Sequence, residues 1–254
     1  MNAKIEPAPV APPGPRVERD ELVILNQLVP LRAQRIIELG CGGARLLRDL
    51  LQRFPGTQAT GLEVDAIQHA RNLAAPAERL RFIAAGAEAI PLPDDAFDLA
   101  LMLKSLHHVP LPRMGRALAE IHRVLRPGGL LYVSEPVYAG ELNELTRLFN
   151  DEREVRAAAQ AVLDLGLHSG DWMLAAELRF EVPVQYADFA DFERRMLDVT
   201  YAERHFDGEL RERVRARFEP HVGPRGAHFT RPMFVRLLRK PGRVLSTIAR
   251  GDRP

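Results

Sequence analysis

Between residues 18 and 136 the sequence alternates short apolar runs with segments of helical periodicity, and this alternation restricts the fold more than any other feature. The apolar runs predict strands at 35–39, 58–63, 80–84, 97–103 and 130–134. The predicted helices are 20–28, 45–54, 66–74 and 112–125. Short strands separated by helices of this length are typical of βαβ units, in which helices cover both faces of a parallel sheet. The sequence therefore predicts an open α/β fold.

The remaining third of the chain has a different pattern. Residues 141–165 predict one or two helices, 178–186 a strand and 228–240 a closing strand. Two further helices are predicted by apolar stripes at helical spacing. The stripes consist of Phe189, Phe192, Met196 and Val199, and of Leu210, Val214 and Phe218.

The domain organisation follows from these patterns and from the composition of the ends. Residues 1–17 are rich in proline and alanine without periodicity, and we expect a disordered leader there. We expect one domain at 18–240 and a tail at 241–254. Within the domain, a core at about 30–136 precedes a cap and C-terminal strands at about 137–240.

Composition argues against several classes of protein. The net charge of +1 over 254 residues gives no reason to expect nucleic acid as a partner. No apolar segment is long enough to span a membrane. The single cysteine, Cys41, cannot form an intrachain disulfide, which fits a reducing compartment, so we expect a cytoplasmic protein. The sequence does not indicate an oligomeric state.

The turn after the first predicted strand, "ELGCGGA" at residues 38–44, has little side chain. Gly40 and Gly42 permit close approach of a ligand to the backbone, and free N–H groups at the start of the next helix face the same space. A dinucleotide site needs G-x-G-x-x-G, but Arg45 occupies its third glycine position. This departure disfavours a nicotinamide dehydrogenase and leaves an adenosyl ligand without phosphate.

This turn resembles the first motif of class I S-adenosylmethionine-dependent methyltransferases, (D/E)-x-G-x-G-x-G, with Glu38, Gly40 and Gly42 matching and Ala44 in place of the last glycine. Three further stretches resemble the family in the same order: "TGLEVD", "AAGAEAIPLPDDAFDLALMLKSLHHV" and "VLRPGGLLYVSEP". The second is similar to the small-molecule branch that includes the quinone-biosynthesis methyltransferases. Together the matches cover residues 36–136, nearly half of the chain.

The resemblance implies a Rossmann-like, doubly wound and mainly parallel seven-stranded sheet, with helical cap insertions after the fifth strand. It implies S-adenosylmethionine as cofactor and a transferase that methylates a small organic acceptor. Two alternatives keep the same fold: a non-methylating or modified-sulfonium reaction, and a catalytically silent cofactor-binding or partner subunit.

By the resemblance, Glu63 at the end of the second strand binds the ribose hydroxyls, with Asp65 as a second choice of acid. The Ala87 N–H would bind a ring nitrogen of adenine, while Gly86 stands where the family often has aspartate. The predicted cofactor-binding residues are Glu38, Gly40, Cys41, Gly42, Glu63, Val64, Gly86, Ala87, Glu88 and Lys104. Cys41 is interpreted as a small turn residue, and Ala44 is expected to have the negative φ of a helix.

His107 and His108 follow the fourth strand and are candidate bases, because an unperturbed imidazole titrates near neutral pH. A structural role for either histidine is the alternative. No metal site is predicted, because the histidines are scattered and adjacent side chains need not point the same way. The candidate substrate residues are Tyr138, His168, Trp172 and His205, with Asp171 and Met173 as further candidates. The helices at 141–165 and the "LHSGDWM" segment are expected to pack over the strand ends as a partial lid.

Overall fold

Helices and strands alternate along the described part of the chain, residues 16–196 and 207–242 of a computed structural model. The helices are Glu21–Leu28 (α1), Arg45–Arg53 (α2), Ala66–Ala74 (α3), Met114–Val124 (α4), Glu141–Thr146 (α5), Arg153–His168 (α6), Phe189–Met196 (α7) and Gly208–Phe218 (α8). The strands are Arg35–Leu39 (β1), Gln58–Glu63 (β2), Leu80–Ala84 (β3), Phe97–Leu103 (β4), Leu125–Pro136 (β5), Met173–Tyr186 (β6), Val222–Gly223 (β7) and Gly226–Arg239 (β8). The predictions for β1 to β4 and for α3 are confirmed at the same bounds.

The strands form one sheet in the order β3-β2-β1-β4-β5-β8-β6, and the two-residue β7 pairs with β8 beside this path. The pairs from β3 to β5 are parallel, whereas β8 is antiparallel to both β5 and β6. The strand order reverses between β1 and β4, and ligands bind beyond the carboxyl ends of the strands at such a point. The predicted mainly parallel, Rossmann-like sheet is confirmed.

Both faces of the sheet are buried, because alternate residues of each strand point to opposite sides. On one face, Ile37 and Val133 belong to a cluster with residues of α4 and α6. On the other face, Ile36 and Tyr132 belong to a cluster with residues of α1 and α2. Two-sided burial explains why the central strands are near-continuous apolar runs in the sequence.

The cap is carried by β6 and β8, which extend beyond the end of β5. The last residue of β5, Pro136, is level with Met233 of β8 and Phe180 of β6. Beyond that level, residues 181–186 and 227–232 continue as a two-stranded ribbon past the carboxyl edge of the parallel strands. A third apolar cluster, which includes Tyr186, Phe192 and Phe218, packs α5, α7 and α8 against this ribbon. The cap therefore lies at the carboxyl edge.

The turn predicted before the fifth strand lies inside β5 as an irregularity. Leu125 pairs with Phe97 and Leu130 pairs with Leu99, so extra residues of β5 bulge out of the ladder. Gly128 in this bulge has a φ of 78°, and its N–H donates to the Lys240 carbonyl over 3.0 Å. The predicted strand at 130–134 is thus the central part of a longer one.

The prediction that "LHSGDWM", residues 167–173, forms a partial lid is wrong. Helix α6 starts at the carboxyl edge and runs across the sheet, so its last turn reaches the opposite edge. There Met173, the first residue of β6, is level with Arg239 and with Leu130 near the amino end of the parallel part of β5. This segment therefore lies a full strand length from the ligand-binding edge. The predicted leader and tail fall almost entirely outside the described residues, as does Val199.

Candidate functional site

The glycine turn between β1 and α2 is held by neighbours on β2 and α3. Gly40 and Gly42 have φ of 71° and 50°, values that glycine adopts without strain. The Gly42 N–H donates to Glu63 Oε2 over 2.7 Å, and Asn72 Nδ2 of α3 donates to the Gly42 carbonyl over 2.7 Å. A Cβ at Gly40 would lie 2.9 Å from the Ser105 Cβ, so the turn and the end of β4 are in close contact.

Ala44 does not have the helical backbone expected for it. It is the N-cap of α2 with φ 53° and ψ 31°, in the left-handed region, and it is buried. A non-glycine residue there is strained by about 1 kcal/mol, which explains why a glycine suits this place in the motif. Ala44, which departs from the motif, therefore has a strained backbone rather than an ordinary helical one.

A cavity of about 670 Å³, here called the main cavity, lies at the carboxyl ends of β1, β2 and β4. Its volume is within the usual range for small-molecule sites. Eight of the ten predicted cofactor residues line it: Gly40, Gly42, Glu63, Val64, Gly86, Ala87, Glu88 and Lys104. Glu38 and Cys41 lie behind the turn, and the sequence did not point to Ser105, Gln68, Met102, Val109 or Pro110, which also line the cavity.

Gly86 is explained by the position of Glu88. A Cβ built at Gly86 would overlap Oε2 of Glu88, so a side chain at Gly86 and this placement of Glu88 exclude each other. Glu88 is half-buried on the cavity wall, and its Oε1 accepts a hydrogen bond of 3.0 Å from Arg113 Nη1. A carboxylate therefore occupies the space that an aspartate at position 86 would reach.

Behind the turn lies a buried acidic group. Burial, with the nearby charge of Glu21, raises the pKa of Glu38 to about 8, and the Lys104 ammonium offsets part of the rise. Oε2 of Glu38 has no hydrogen-bond partner among the described residues. Burial also raises the pKa of Cys41 to about 12, so its thiol stays protonated and is not a nucleophile. Its sulfur packs on Gly61 of β2, as expected for a small turn residue.

A second cavity of about 370 Å³, here called the side cavity, adjoins the main cavity under the cap. Core and cap both contribute walls, which include Leu103, Lys104, His107, His108, Pro136, Leu142, Asn143, Thr146, Phe149, Asn150, Glu152, Arg156, Met196 and Thr230. Lys104 and His108 line both cavities. Lys104 has a φ of 55°, a strained backbone at the junction of the two.

His107 and His108 lie in a short 3₁₀ turn after β4 with ring centroids 4.1 Å apart, so both side chains reach the side cavity. His107 is buried, its Nδ1 hydrogen-bonds Glu135 of β5, and its Nε2 lies 3.9 Å from Glu152 Oε2. His108 is exposed as a whole residue, but the surrounding protein partly desolvates its ring, and this effect, together with the neighbouring His107, lowers the pKa of His108. The two adjacent rings therefore reach the same cavity, although adjacent side chains need not point the same way.

The predicted substrate residues do not come together. Trp172 is buried in the core between α4 and α6, edge-on to His122, because α6 carries it to the amino edge. His168 ends α6 near that edge, exposed, with Nδ1 2.7 Å from the Asp164 carbonyl. These two assignments are wrong, as are those of Asp171 and Met173 beside them.

The other two predicted substrate residues lie elsewhere. Tyr138 donates to Asp151 Oδ1 over 2.8 Å and lines a neighbouring groove instead of the side cavity. His205 lies outside the described residues.

The sequence did not indicate the cap side chains that do line the side cavity. Arg156 donates to Glu152 Oε2 over 2.6 Å and to Asn143 Oδ1 over 3.1 Å. Nδ2 of the buried Asn143 has no partner among the described residues. A helical pattern with a Glu and an Arg four positions apart was the available signal, but such pairs also occur on ordinary solvated helices.

The main cavity fits an adenosyl sulfonium in its chemistry. Its charged lining consists of three carboxylates, on Glu63, Asp65 and Glu88, and one ammonium, on Lys104. This excess of negative charge suits a cation, and a carboxylate at the end of β2 can accept two hydrogen bonds from a vicinal diol. The bare backbone at Gly40 and Gly42 adds the space for close approach.

Comparison with known proteins agrees with this geometry. Residues 37–133 match a family model described as a methyltransferase domain. A ubiquinone/menaquinone biosynthesis C-methyltransferase, UbiE, of Methylobacterium nodulans is 36% identical over 113 residues, which cover 42% of this chain and 44% of the relative. A 27-O-demethylrifamycin SV methyltransferase of Amycolatopsis mediterranei is 32% identical over 152 residues, covering 56% and 53% of the two chains.

The chain thus spans about half the length of the curated relatives it matches. The solved structure of the YcgJ protein from Bacillus subtilis superposes with a TM-score of 0.61 at 17% identity, covering 87% of this chain and 97% of that one, which supports the fold alone. No helix in residues 16–196 and 207–242 is long and apolar enough to cross a membrane. The match at 37–133 coincides with the strands and turns that build the main cavity, so this part of the chain is similar to methyltransferase domains.

Proposed function

We propose that this protein transfers a methyl group from S-adenosylmethionine to a small organic acceptor. One observation carries the proposal: the main cavity and the side cavity meet at Lys104 and His108, which line both. Methyl transfer from a sulfonium is an in-line displacement, so donor and acceptor must meet end to end. Two cavities that join at the carboxyl end of β4 meet this requirement.

The main cavity would hold the cofactor. The backbone of Gly40 and Gly42 would face its methionine part, Glu63 would accept from its ribose hydroxyls, and Ala87 and Glu88 would contact its adenine. When bound, the cofactor supplies an electrophilic methyl group, whose bond to sulfur breaks with both electrons staying on sulfur. The chain's own contribution is to bind and align both reactants and to exclude water.

The side cavity would hold the acceptor. Its walls mix apolar side chains such as Leu142 and Phe149 with polar groups, and its volume suits a small molecule. Because its pKa is lowered, His108 is neutral near pH 7 and its ring can accept a proton from an acceptor O–H or N–H at the junction. A small organic acceptor is also the class common to the two curated relatives' names.

Calorimetric titration of S-adenosylmethionine and S-adenosylhomocysteine into the full chain tests the cofactor assignment. Loss of two charge-assisted hydrogen bonds should weaken binding about 100-fold or more in Glu63→Ala, with Glu63→Gln in between. Glu78→Ala, on an exposed turn, is the matched control and should bind as the wild type does. Absence of binding by the wild type would refute the proposal.

Turnover with a panel of small acceptors, followed by mass spectrometry, tests the reaction. A product heavier than its acceptor by one methyl group in place of one hydrogen supports methyl transfer. A product without that gain would indicate a non-methylating reaction on the same fold. Cofactor binding without turnover of any acceptor would indicate a silent binding subunit.

A further inference from the structure

The side cavity brings together three side chains of the types that bind metal ions in other proteins. One donor atom from each of His107, His108 and Glu152 lies within 4.8 Å of the other two. In tetrahedral coordination, bonds of about 2.0–2.2 Å to nitrogen or oxygen place two donors about 3.3–3.6 Å apart. His107 Nε2 lies 3.9 Å from Glu152 Oε2, so the side chains must move slightly closer together to bind an ion. His108 is exposed, which leaves its ring room to move.

The environment of His107 is the one that a metal-binding histidine needs. Its Nδ1 hydrogen-bonds the buried carboxylate of Glu135, which leaves Nε2 directed at Glu152. Metal-bound histidines usually donate their second ring N–H to a carboxylate, which fixes the ring and the tautomer. Glu135 is itself held by the Leu106 N–H, which donates to Oε1 over 2.9 Å.

The charges at this place are compatible with a divalent cation. Two carboxylates, Glu135 and Glu152, face one guanidinium, Arg156, so the group is one charge negative when both imidazoles are neutral. Arg156 donates twice to Oε2 of Glu152 and Asn150 donates once to Oε1, so the open acceptor position of this carboxylate is on Oε1, where an ion would bind.

We propose that His107, His108 and Glu152 form a binding site for a divalent transition-metal ion, with Zn²⁺ as the model ion, at the floor of the side cavity. Two imidazoles and one carboxylate suit such an ion, and three protein ligands leave positions open toward the cavity. An acceptor hydroxyl bound at an open position would lose its proton to solvent more easily, because the ion withdraws electron density from its oxygen. This role rests on the proposed methyl transfer, whereas the ion site does not.

Calorimetry with the untagged full chain, treated with EDTA and dialysed, tests the site with Zn²⁺ alone and Co²⁺ alone. We expect one ion per chain and visible Co²⁺ bands that differ from those of the hydrated ion. His108→Ala and Glu152→Gln should each weaken binding about 100-fold or more, and Glu135→Gln about 10- to 100-fold. His168→Ala and Glu154→Gln, which remove the same groups at exposed positions of α6, are the matched controls and should bind as the wild type does.

The outcomes separate this proposal from the proposed function. No uptake of either ion by the wild type, or equal uptake by the wild type and His108→Ala, would overturn the ion site. S-adenosylhomocysteine binding to the Glu152→Gln sample reports on the main cavity and on folding, because Glu152 lines the side cavity and not the main cavity, whereas His108 lines both. Methyl transfer that EDTA leaves unchanged would contradict the activating role, and the imidazoles would then act as proton acceptors.

Discussion

The buried carboxyl of Glu38 makes stability depend on pH in a direction that can be calculated. Glu38 is 4% exposed on β1, and its pKa of about 8 lies above the value of 4.5 for an unperturbed glutamate. Between these two values the folded chain holds a proton that the unfolded chain has lost. The stability it contributes is therefore complete below pH 4.5 and is lost as pH rises toward 8.

The replacement Glu38→Gln removes this titration while keeping the size of the side chain. Between the two pKa values, each pH unit changes the free energy of unfolding by about 1.36 kcal/mol. Between pH 5 and pH 8 the free energy of unfolding of the wild type should fall by roughly 3 to 4 kcal/mol through Glu38 alone. The variant should therefore gain that much relative to the wild type over the same interval.

Urea unfolding at several pH values between 5 and 8 measures this difference. Glu78→Gln, on an exposed turn, is the matched control, and its free energy of unfolding should change with pH as that of the wild type does. If Glu38→Gln also ran parallel to the wild type, to within about 0.5 kcal/mol, Glu38 would be ionised in the folded chain. The account of the buried acidic group behind the glycine turn would then be wrong.

Three further predictions concern the main cavity. Glu88→Gln should weaken S-adenosylhomocysteine binding about 10-fold, because an amide is a weaker acceptor than a carboxylate for the adenine amino group, and the loss should be absent for the inosine analogue. Asn72→Ala should lower the free energy of unfolding by about 1–2 kcal/mol and weaken cofactor binding, since the Gly42 carbonyl loses its donor; urea unfolding and calorimetry measure both. Ala44→Gly should change the free energy of unfolding by less than about 1 kcal/mol, because relief of the left-handed strain is offset by the lost methyl group and the more flexible unfolded chain; a larger loss would contradict the positive φ.

The core of the fold could be predicted from the sequence because its signals are local. Strands β1, β2 and β4 are mostly buried and rich in apolar residues, and the edge strand β3 is half-buried, so the ends of these strands are visible as polar or glycine residues. The main cavity is built by the residues that directly follow these strands. Once the strands are placed side by side, Gly40, Glu63 and Lys104 must lie at one edge.

The side cavity could not be predicted in the same way, because its contacts join distant parts of the chain. The pairing of His107 with Glu135 spans 28 residues, and neither residue type indicates the other. The sequence predicts Trp172 in a pocket wall as part of a lid segment, but the direction of α6 decides its place, and helix direction is not a property of the local sequence. The backbone of Ala44 is a third case, since an alanine does not indicate a positive φ.

The ribbon formed by β6 and β8 has a consequence for the order in which ligands act. Among the described residues, the main cavity is lined by residues 39–110 only, all before the cap, whereas the side cavity takes walls from both. A ligand in the main cavity therefore makes no contact with the third apolar cluster. A ligand in the side cavity contacts both that cluster and the core. Under the proposed function, the acceptor is the ligand that should slow hydrogen exchange across the ribbon, whereas the cofactor should leave that exchange unchanged.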